Sequence, residues 1–276
     1  MIEGLSINAA TVKPLSLTEL VAACERHGIR AIAPWRDQIR SFGLAESGKL
    51  IRDAGLQVTG VCRGGVFTAP TPEGRRAAIY DNRRAIEEAA AVNADCLVVI
   101  AGGLPQGSRD LAGAREMATE GIAAILPEAR AAKVPLALEP LHPMTAPDRC
   151  CWNSLSHVLD LCDRFGEGTG VAVEVYHVWW DPDQPKQIAR AGKRILGHHI
   201  CDWLVPTRDT AFDRGMMGDG VIDLPAIRRM VEAAGYFGPQ EVEIFSAENW
   251  WKRDADEVLK ICVERYNTIC RMPSNG

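Results

Sequence analysis

The chain lacks the cysteine patterns of a disulfide framework and of a thiolate zinc site. Its nine cysteines are scattered along 276 residues, and no two of them form a C-x-x-C pair. An odd number of scattered thiols is typical of a reducing compartment. The first ten residues include Glu3 and have no basic region, unlike a signal peptide. We therefore expect reduced thiols and a cytoplasmic protein.

An excess of basic charge and a long apolar run are also missing. The sequence has 31 lysines and arginines against 36 aspartates and glutamates, a formal net charge of -5. Domains that bind nucleic acid usually carry a net positive charge. No segment approaches the roughly 20 apolar residues that span a bilayer. We therefore expect neither a nucleic-acid partner nor a membrane partner.

The glycine motifs of nucleotide binding are absent as well. The glycine pairs at 64–65 and 102–103 lack the spacing of a dinucleotide fingerprint, and the glycines within 215–220 do not form a P-loop. No Ser- or Gly-rich linker divides the chain. We expect no nucleotide cofactor and a single domain over residues 1–276.

What is present is an alternation of short β-rich runs with longer segments of helical period. The eight candidate strands are Gly4–Asn8, Ala31–Pro34, Gln57–Arg63, Cys96–Ala101, Pro135–Glu139, Gly170–Glu174, Leu196–Cys201 and Glu241–Ile244. With 47% hydrophobic residues, the chain can bury the large core that this pattern needs. Because (β/α)8 barrels reach about 250 residues as one domain, the pattern predicts an α/β barrel of this kind. A doubly wound open sheet is the alternative.

Two helix boundaries are marked by capping residues. Ser16 and Glu19 form a capping-box pair at the start of the first helix, which ends before Gly28. The helix after the seventh strand starts at Asp223 and ends at Gly235. Both helices carry an apolar stripe that fits the face of a sheet.

Ionisable residues stand at the ends of the last four predicted strands. They are Glu139, Glu174, His199 and Glu243. In a (β/α)8 barrel these strand ends meet at the face that carries the active site. Like charges there raise one another's pKa, and burying each costs several kcal/mol, so the cluster needs a cation. Three oxygen donors and one nitrogen suit Mn2+, Mg2+ or Co2+, with Zn2+ as a further alternative.

Other polar residues lie close to this predicted centre in the sequence. His198 is the rival of His199, since adjacent strand residues face opposite sides of a sheet. His177 and Arg214 follow the sixth and seventh strands and are candidates for binding a substrate oxygen. Asp202 is a candidate acceptor for the free N–H of His199.

Tryptophans also follow several strands, where they either stack on the C–H face of a sugar or seal the core beneath a loop. They are Trp179, Trp180, Trp203, Trp250 and Trp251. The Cys150-Cys151 pair has no His–Asp pair nearby in the sequence, so we interpret it as structural.

The order of these motifs resembles a known family. Glu139, Glu174-x-x-His177, His199-x-x-Asp202 and Val242-Glu243 are similar to the motifs of the xylose isomerase-like TIM barrels of the sugar phosphate isomerase/epimerase superfamily. The resemblance spans essentially the whole chain and is closest to the branch with inosose (2-keto-myo-inositol) isomerases and ketose 3-epimerases. Each motif alone is weak, and together in this order they are specific.

The resemblance implies a role for each site residue. The implied metal ligands are Glu139, Glu174, His199 and Glu243, with Mn2+ as the expected ion. The resemblance favours His199 over His198 and places His177 and Arg214 near the substrate. Homo-oligomers are common in this superfamily. This chain has Glu174 where the family usually has Asp, and the extra methylene is expected to affect the metal.

The implied chemistry is proton transfer next to a carbonyl, with Glu139 and Glu243 as the acid/base pair. We therefore expect a metal-dependent isomerase or epimerase of a keto-sugar or inosose, acting through a metal-stabilised ene-diolate. Loss of a β-substituent from the same intermediate would make a lyase instead, such as an inosose dehydratase or a deglycosidase of 3-oxo-glycosides.

Two further alternatives come from other functional classes. An endonuclease IV-type DNA repair enzyme shares the barrel, but it needs a histidine-rich metal cluster and a basic face. This chain has six histidines and a net charge of -5. The other alternative is a non-catalytic barrel in which Glu174 marks a degraded site.

Overall fold

Strands and helices alternate along the chain, as the sequence pattern predicts. The computed structural model describes residues 2–271. In chain order the strands are β1 (Ile2–Asn8), β2 (Ile29–Ala33), β3 (Gln57–Val58), β4 (Val61–Gly65), β5 (Leu97–Ile100), β6 (Leu136–Leu138), β7 (Thr169–Glu174), β8 (Ile195–Ile200), β9 (Asp202–Trp203), β10 (Arg214–Gly215) and β11 (Gln240–Val242). Nine of them form one parallel sheet, and β9 pairs with β10 in a separate antiparallel ribbon.

The nine sheet strands occupy the eight strand positions of a barrel, because β3 and β4 together form the third position. The sequence predicts one strand over Gln57–Arg63, but the strand is interrupted at Thr59. There the Thr59 N–H donates to the Ile32 carbonyl (3.0 Å) and the Val61 N–H donates to the Cys96 carbonyl (3.0 Å). Thus β3 pairs with β2, whereas β4 pairs with β5. On the other side β11 joins β8 to β1, which confirms the (β/α)8 TIM barrel.

Helices cover the outside of this barrel. They are α1 (Leu17–Arg26), α2 (Arg36–Phe42), α3 (Leu44–Asp53), α4 (Pro72–Ala91), α5 (Leu111–Ala131), α6 (Leu155–Phe165), α7 (Val175–Val178), α8 (Gln184–Ala191), α9 (Leu224–Ala233) and α10 (Ala255–Arg265). Short 3-10 helices span Ala9–Val12, Pro143–Thr145, Gly192–Arg194 and Trp250–Lys252, and a π-helix spans Tyr266–Cys270.

The predicted helix starts are confirmed by their hydrogen bonds. Ser16 and Glu19 make the reciprocal capping box of α1. The Asp223 side chain accepts from the Ala226 N–H at the start of α9. Each cap satisfies a backbone donor that the first helical turn leaves unpaired.

The main core lies between the sheet and the helices, and a small cluster fills the barrel interior. The interior cluster consists of Cys62, Cys96, Val98, Ala137 and Ala172. These side chains are small, so the space above them at the strand ends is left for larger polar groups. All nine cysteines are buried and unpaired, in line with a structural role for Cys150 and Cys151. Between residues 2 and 271, no helix is both long and apolar enough to span a membrane.

Candidate active site

The four predicted metal ligands lie together at the carboxyl ends of neighbouring strands. Glu139 directly follows β6, Glu174 ends β7, His199 lies near the end of β8, and Glu243 directly follows β11. One donor atom of each lies within 4.8 Å of those of the others, and all four residues are buried. Parallel strands end at one rim of the barrel, which brings these residues together across more than a third of the chain.

Within β8, His199 faces the barrel interior and His198 faces the helices. The Nδ1 atom of His199 lies 3.1 Å from Glu139 Oε1 and 3.8 Å from Glu174 Oε2. The His198 ring lines a small cavity with Arg228 of α9. Its Nε2 has no hydrogen-bond partner among residues 2–271. The alternation of side chains along the strand therefore brings His199, and not His198, to the carboxylates.

The two histidines differ in pKa because their surroundings differ. Burial lowers the pKa of His198 to about 3. Burial also disfavours the charged form of His199, but the carboxylates of Glu241, Glu139 and Glu243 outweigh burial and raise its pKa well above the ordinary value. The barrel mouth is thus a place of strong negative potential, where positive charge is stabilised.

Glu174 connects this cluster to the start of α7. Its Oε1 accepts from the Tyr176 N–H (3.1 Å) and from the Cys201 thiol (3.8 Å). Its Oε2 accepts from Arg214 Nη1 (3.1 Å). Burial raises the pKa of this carboxyl well above its usual value, despite the nearby Arg214. The glutamate side chain thereby contacts both the helix start and the guanidinium.

Arg214, in β10, is a buried component of the site rather than a surface residue of a long loop. Only 4% of the residue is exposed. Its Nη1 lies 3.0 Å from Glu243 Oε2 and also donates to the Glu243 carbonyl (3.1 Å). The pairing of β10 with β9 brings this residue over the barrel mouth. Burial lowers the pKa of Arg214, but Glu174 and its neighbours outweigh burial and raise it, so the guanidinium stays charged.

His177, a predicted substrate-binding residue, lies in α7 beside Arg214. Its Nε2 is 3.2 Å from Arg214 Nη2, and its Nδ1 accepts from the His142 N–H (3.1 Å). Burial, reinforced by the Arg214 charge, lowers the pKa of His177 well below its usual value. The imidazole is therefore neutral, and if Nδ1 is its acceptor, Nε2 carries the proton and faces a second donor, Arg214 Nη2.

Two buried residues of the site were missed by the sequence analysis. Asn8 donates through Nδ2 to Glu241 Oε1 (2.7 Å) and Glu243 Oε1 (3.0 Å). Glu241 also accepts from Thr59 Oγ1 (2.7 Å), and it lies 3.8 Å from the Nε2 of His199. Glu241 could have been found from the alternation of side chains along the last predicted strand, which corresponds to β11. In that strand, Glu241 lies on the same face as Glu243.

The prediction that Asp202 holds the free N–H of His199 is wrong. Asp202 Oδ1 accepts from the Trp203 N–H (2.9 Å) and the Ile222 N–H (3.0 Å), and its Oδ2 accepts from the Gly218 N–H (2.9 Å). The chain leaves the barrel after β8, so Asp202 stabilises the following loop. His199 Nε2 instead lies 3.8 Å from Glu241 Oε1.

A cleft above the cluster exposes only part of it. Of the four predicted ligands, Glu139 and Glu243 line this cleft, together with His177 and Arg214. Glu174 and His199 lie behind them, with 0% and 1% of their surface exposed. The site thus has two carboxylates within reach of a small molecule and two donors shielded from it.

The cleft opens into an outer cavity of about 520 Å³ with aromatic walls. These walls are formed by Trp35, Phe212, Phe245 and Trp251. Among residues 2–271, Trp251 is the one predicted tryptophan that lines this cavity. Trp203 packs against Tyr176 with their ring centroids 4.6 Å apart. The sequence therefore predicted an aromatic lining, but most of the residues that it named do not line this cavity.

The donor set at the rim fits a divalent cation. When all four buried carboxyl groups are ionised, their negative charge exceeds the positive charge of Arg214 and protonated His199, and the pKa values of Glu174 and Glu241 are accordingly raised, mainly by burial. The carboxylates are those of Glu139, Glu174, Glu241 and Glu243. Oxygen donors with one imidazole nitrogen are ligands that Mn2+, Mg2+, Co2+ and Zn2+ accept in proteins. A bound cation would remove the excess charge.

A family model described as a xylose isomerase-like TIM barrel matches residues 21–262. The chain belongs to this family. The match confirms the resemblance that the strand-end motifs indicated.

Solved structures agree with this assignment. Protein SMc04130 from Sinorhizobium meliloti 1021 is 62% identical over 99% of this chain and 100% of its own, with a TM-score of 0.97. The IOLI protein with a bound zinc atom is 19% identical, covering 97% and 98% of the two chains, with a TM-score of 0.82. A D-psicose 3-epimerase, solved in the presence of D-fructose, is 15% identical, covering 97% and 99%, with a TM-score of 0.78. No curated protein matches the chain.

Proposed function

We propose that this barrel is a metal-dependent isomerase or epimerase of a keto-sugar or inosose. The observation that carries the proposal is the pair of carboxylates, Glu139 and Glu243, on the cleft wall beside the buried four-residue cluster. Proton removal and return next to a carbonyl needs two such groups. The D-psicose 3-epimerase among the structural neighbours is consistent with this chemistry.

The cluster of Glu139, Glu174, His199 and Glu243 would hold the ion, and Mn2+ is the one we expect. When bound, the ion would supply the positive charge that polarises a substrate carbonyl and stabilises negative charge on the neighbouring oxygens. Glu174 and His199 are shielded from the cleft, which suits residues that only hold the ion. The zinc atom bound by the IOLI protein, which has a similar fold, supports a bound metal.

Glu243 is suited to remove the proton. Burial by itself raises the pKa of this carboxyl, but Arg214, the contact with Glu174 and the charge of His199 outweigh burial and lower it. The carboxylate is therefore ionised and able to act as a base. Glu139, on the same cleft wall, would in its acid form donate a proton to the opposite face or to the neighbouring carbon, so that the step ends with Glu243 protonated and Glu139 ionised.

His177 and Arg214 would bind the substrate's hydroxyl or carbonyl oxygens. Both residues line the cleft, and Arg214 Nη2 points at His177 Nε2. Arg214 also holds Glu174 and Glu243 in place through its Nη1. The aromatic walls of the outer cavity offer flat surfaces for the C–H face of a sugar or cyclitol ring.

The proposal is tested by exchange of the proton at the carbon next to the carbonyl. The purified protein is incubated with Mn2+ in D2O and a panel of ketoses and inososes, and NMR follows loss of that C–H signal. We expect exchange with at least one compound, and the identity of its product separates isomerisation from epimerisation and from β-elimination.

Metal analysis of the same sample completes the test. If the protein holds a stoichiometric ion but exchanges no proton in any compound, the catalytic proposal fails. If it takes up no divalent ion at all, the metal dependence fails as well. Glu248→Gln is a matched control for the glutamine variants of Glu139 and Glu243, because Glu248 is exposed and lies outside the cleft.

A further inference from the structure

Two arginines lie at the junction of the cleft and the outer cavity. Arg63, in β4, and Arg149, in the segment after β6, line both spaces. Between residues 2 and 271, neither side chain makes a salt bridge, and no hydrogen bond of either guanidinium is observed. The contact of the Arg149 guanidinium is with the Phe212 ring, 5.8 Å from its centroid.

Among residues 2–271, the two buried arginines are compensated, whereas Arg63 and Arg149 are half-buried. Arg36 contacts Asp81 and Glu88, and Arg214 contacts Glu174 and Glu243. Arginine is seldom buried without such a partner, because a desolvated charge is costly. Uncompensated guanidinium groups in a cavity are therefore informative.

The two unpaired arginines also repel each other and Arg214. Burial lowers the pKa of Arg149, and the charges of Arg214 and Arg63 lower it further, while Asp148 and Glu243 offset part of this effect. Lys13 adds another positive charge at the outer cavity, where its Nζ lies 4.3 Å from the centroid of the Trp251 ring. A neutral sugar would leave this repulsion in place, whereas an anion would relieve it.

The position of the pair matches a substituent remote from the reacting carbons. The cleft has Glu139 and Glu243 at its inner end, and the aromatic rings of Trp35 and Phe245 belong to both the cleft and the outer cavity. A polyhydroxylated chain or ring lying against these rings would reach from the carboxylates to the arginines. Guanidinium forks bind carboxylate and phosphate oxygens with paired hydrogen bonds.

We propose that Arg63 and Arg149 form an anion subsite, so that the substrate is a keto-sugar or keto-cyclitol bearing a carboxylate or a phosphate group. The subsite rests on the proposed function for the identity of the reacting carbons. The anion contact itself needs only the two guanidinium groups. It can therefore be measured without turnover and without the metal.

Calorimetric titration at fixed ionic strength compares three probes, D-fructose, D-fructuronate and D-fructose 6-phosphate. Each is titrated into protein with Mn2+ and into metal-free protein, because anions also bind a metal ion directly. We expect one or both anionic probes to bind about tenfold tighter than D-fructose in the metal-free protein, as charge-assisted hydrogen bonds imply. Preference for fructuronate or for the phosphate identifies the anion.

Variants connect this preference to the two arginines. Arg63→Gln and Arg149→Gln are each expected to weaken anion binding about tenfold and to change D-fructose binding less than twofold. Arg76→Gln, at an exposed residue of α4, is the control and should keep the preference. If Arg149→Gln does not fold, Arg149→Lys retains the charge and should keep part of the preference.

Equal binding of D-fructose and both anions in the metal-free protein would overturn the subsite. So would a preference that survives unchanged in both glutamine variants. These outcomes differ from failure of the proposed function, which is measured by proton exchange. A protein that prefers anions but exchanges no proton would keep the subsite and lose the catalytic proposal.

Discussion

Two clusters of charge in this barrel each contain a buried arginine and a buried glutamate, but they differ in exposure and in charge balance. Between α2 and α4, Arg36 contacts Glu88 (2.5 Å) and Asp81 (2.7 Å), and Arg40 lies 3.6 Å from Glu88. Two guanidinium groups there face two carboxylates. At the barrel mouth, four carboxylates share Arg214 and one imidazole.

Charge balance, together with burial, therefore separates a structural cluster from a binding site. Opposite charges that neutralise one another hold two helices together and need no ligand. A cluster with excess charge of one sign costs folding free energy unless something binds to it. The same reasoning applies with opposite sign to Arg63 and Arg149.

The largest effect is expected from removing one carboxylate from the barrel mouth. Glu139→Gln and Glu243→Gln keep the shape of the side chain but cannot transfer the proton as before. We expect each to slow C–H exchange by about 10²- to 10⁴-fold, the usual contribution of a general acid or base. NMR exchange rates measure the loss, and circular dichroism checks that the fold is kept.

Exchange at the wild-type rate in both variants would remove these residues from the mechanism. Glu88→Gln is the reciprocal control, since it makes the same chemical change in the balanced cluster. It should leave the exchange rate within about twofold of the wild type, because Glu88 lies outside the cleft.

The second prediction concerns stability of the balanced cluster. Glu88→Gln leaves Arg36 with one buried partner fewer, although Asp81 remains. We expect the free energy of unfolding to fall by about 3 kcal/mol, the lower end for a broken buried ion pair. Urea unfolding measures it. A fall as large in Glu139→Gln without metal would show that the two clusters do not differ as argued.

The smallest expected effect is the stabilisation by metal. At a concentration of 100 times Kd, Mn2+ should raise the free energy of unfolding by about 2.7 kcal/mol. His199→Ala should lose most of this gain, whereas His198→Ala should keep it, because only His199 faces the carboxylates. The measured quantity is the shift on adding metal to each variant, not its absolute stability.

An equal metal-induced shift in the two histidine variants would show that the ion does not use His199. The pair is matched closely, since both residues are buried and adjacent in β8. The pair therefore tests which side chain of the strand points into the barrel, as well as the ligand assignment.

Much of the barrel could be predicted from local sequence. The capping residues Ser16 and Asp223 and the apolar period of their helices depend on neighbours a few positions away. Strand ends were predicted to within a few residues, as for β11, which ends at Val242 rather than at Ile244. The break at Thr59 was missed, because it depends on the strands that flank β3 and β4.

The site was predictable where strand order alone brings residues together. Glu139 and Glu243 come from strand ends, and parallel strands must end at one rim. Asp202 was misassigned, because its contacts depend on how the loop after β8 folds back. The burial of Arg214 was missed for the same reason, since β10 pairs with β9 only in the folded chain.

By itself, the sequence determined the alternation of elements and which ionisable side chains stand at the ends of the last four strands, because periodicity and capping are local. Only the tertiary structure decided what those side chains meet. Asn8 reaches Glu241 across 233 positions of the chain. Such a contact exists because the first and last strands pair when the barrel closes, and no local pattern encodes that distance.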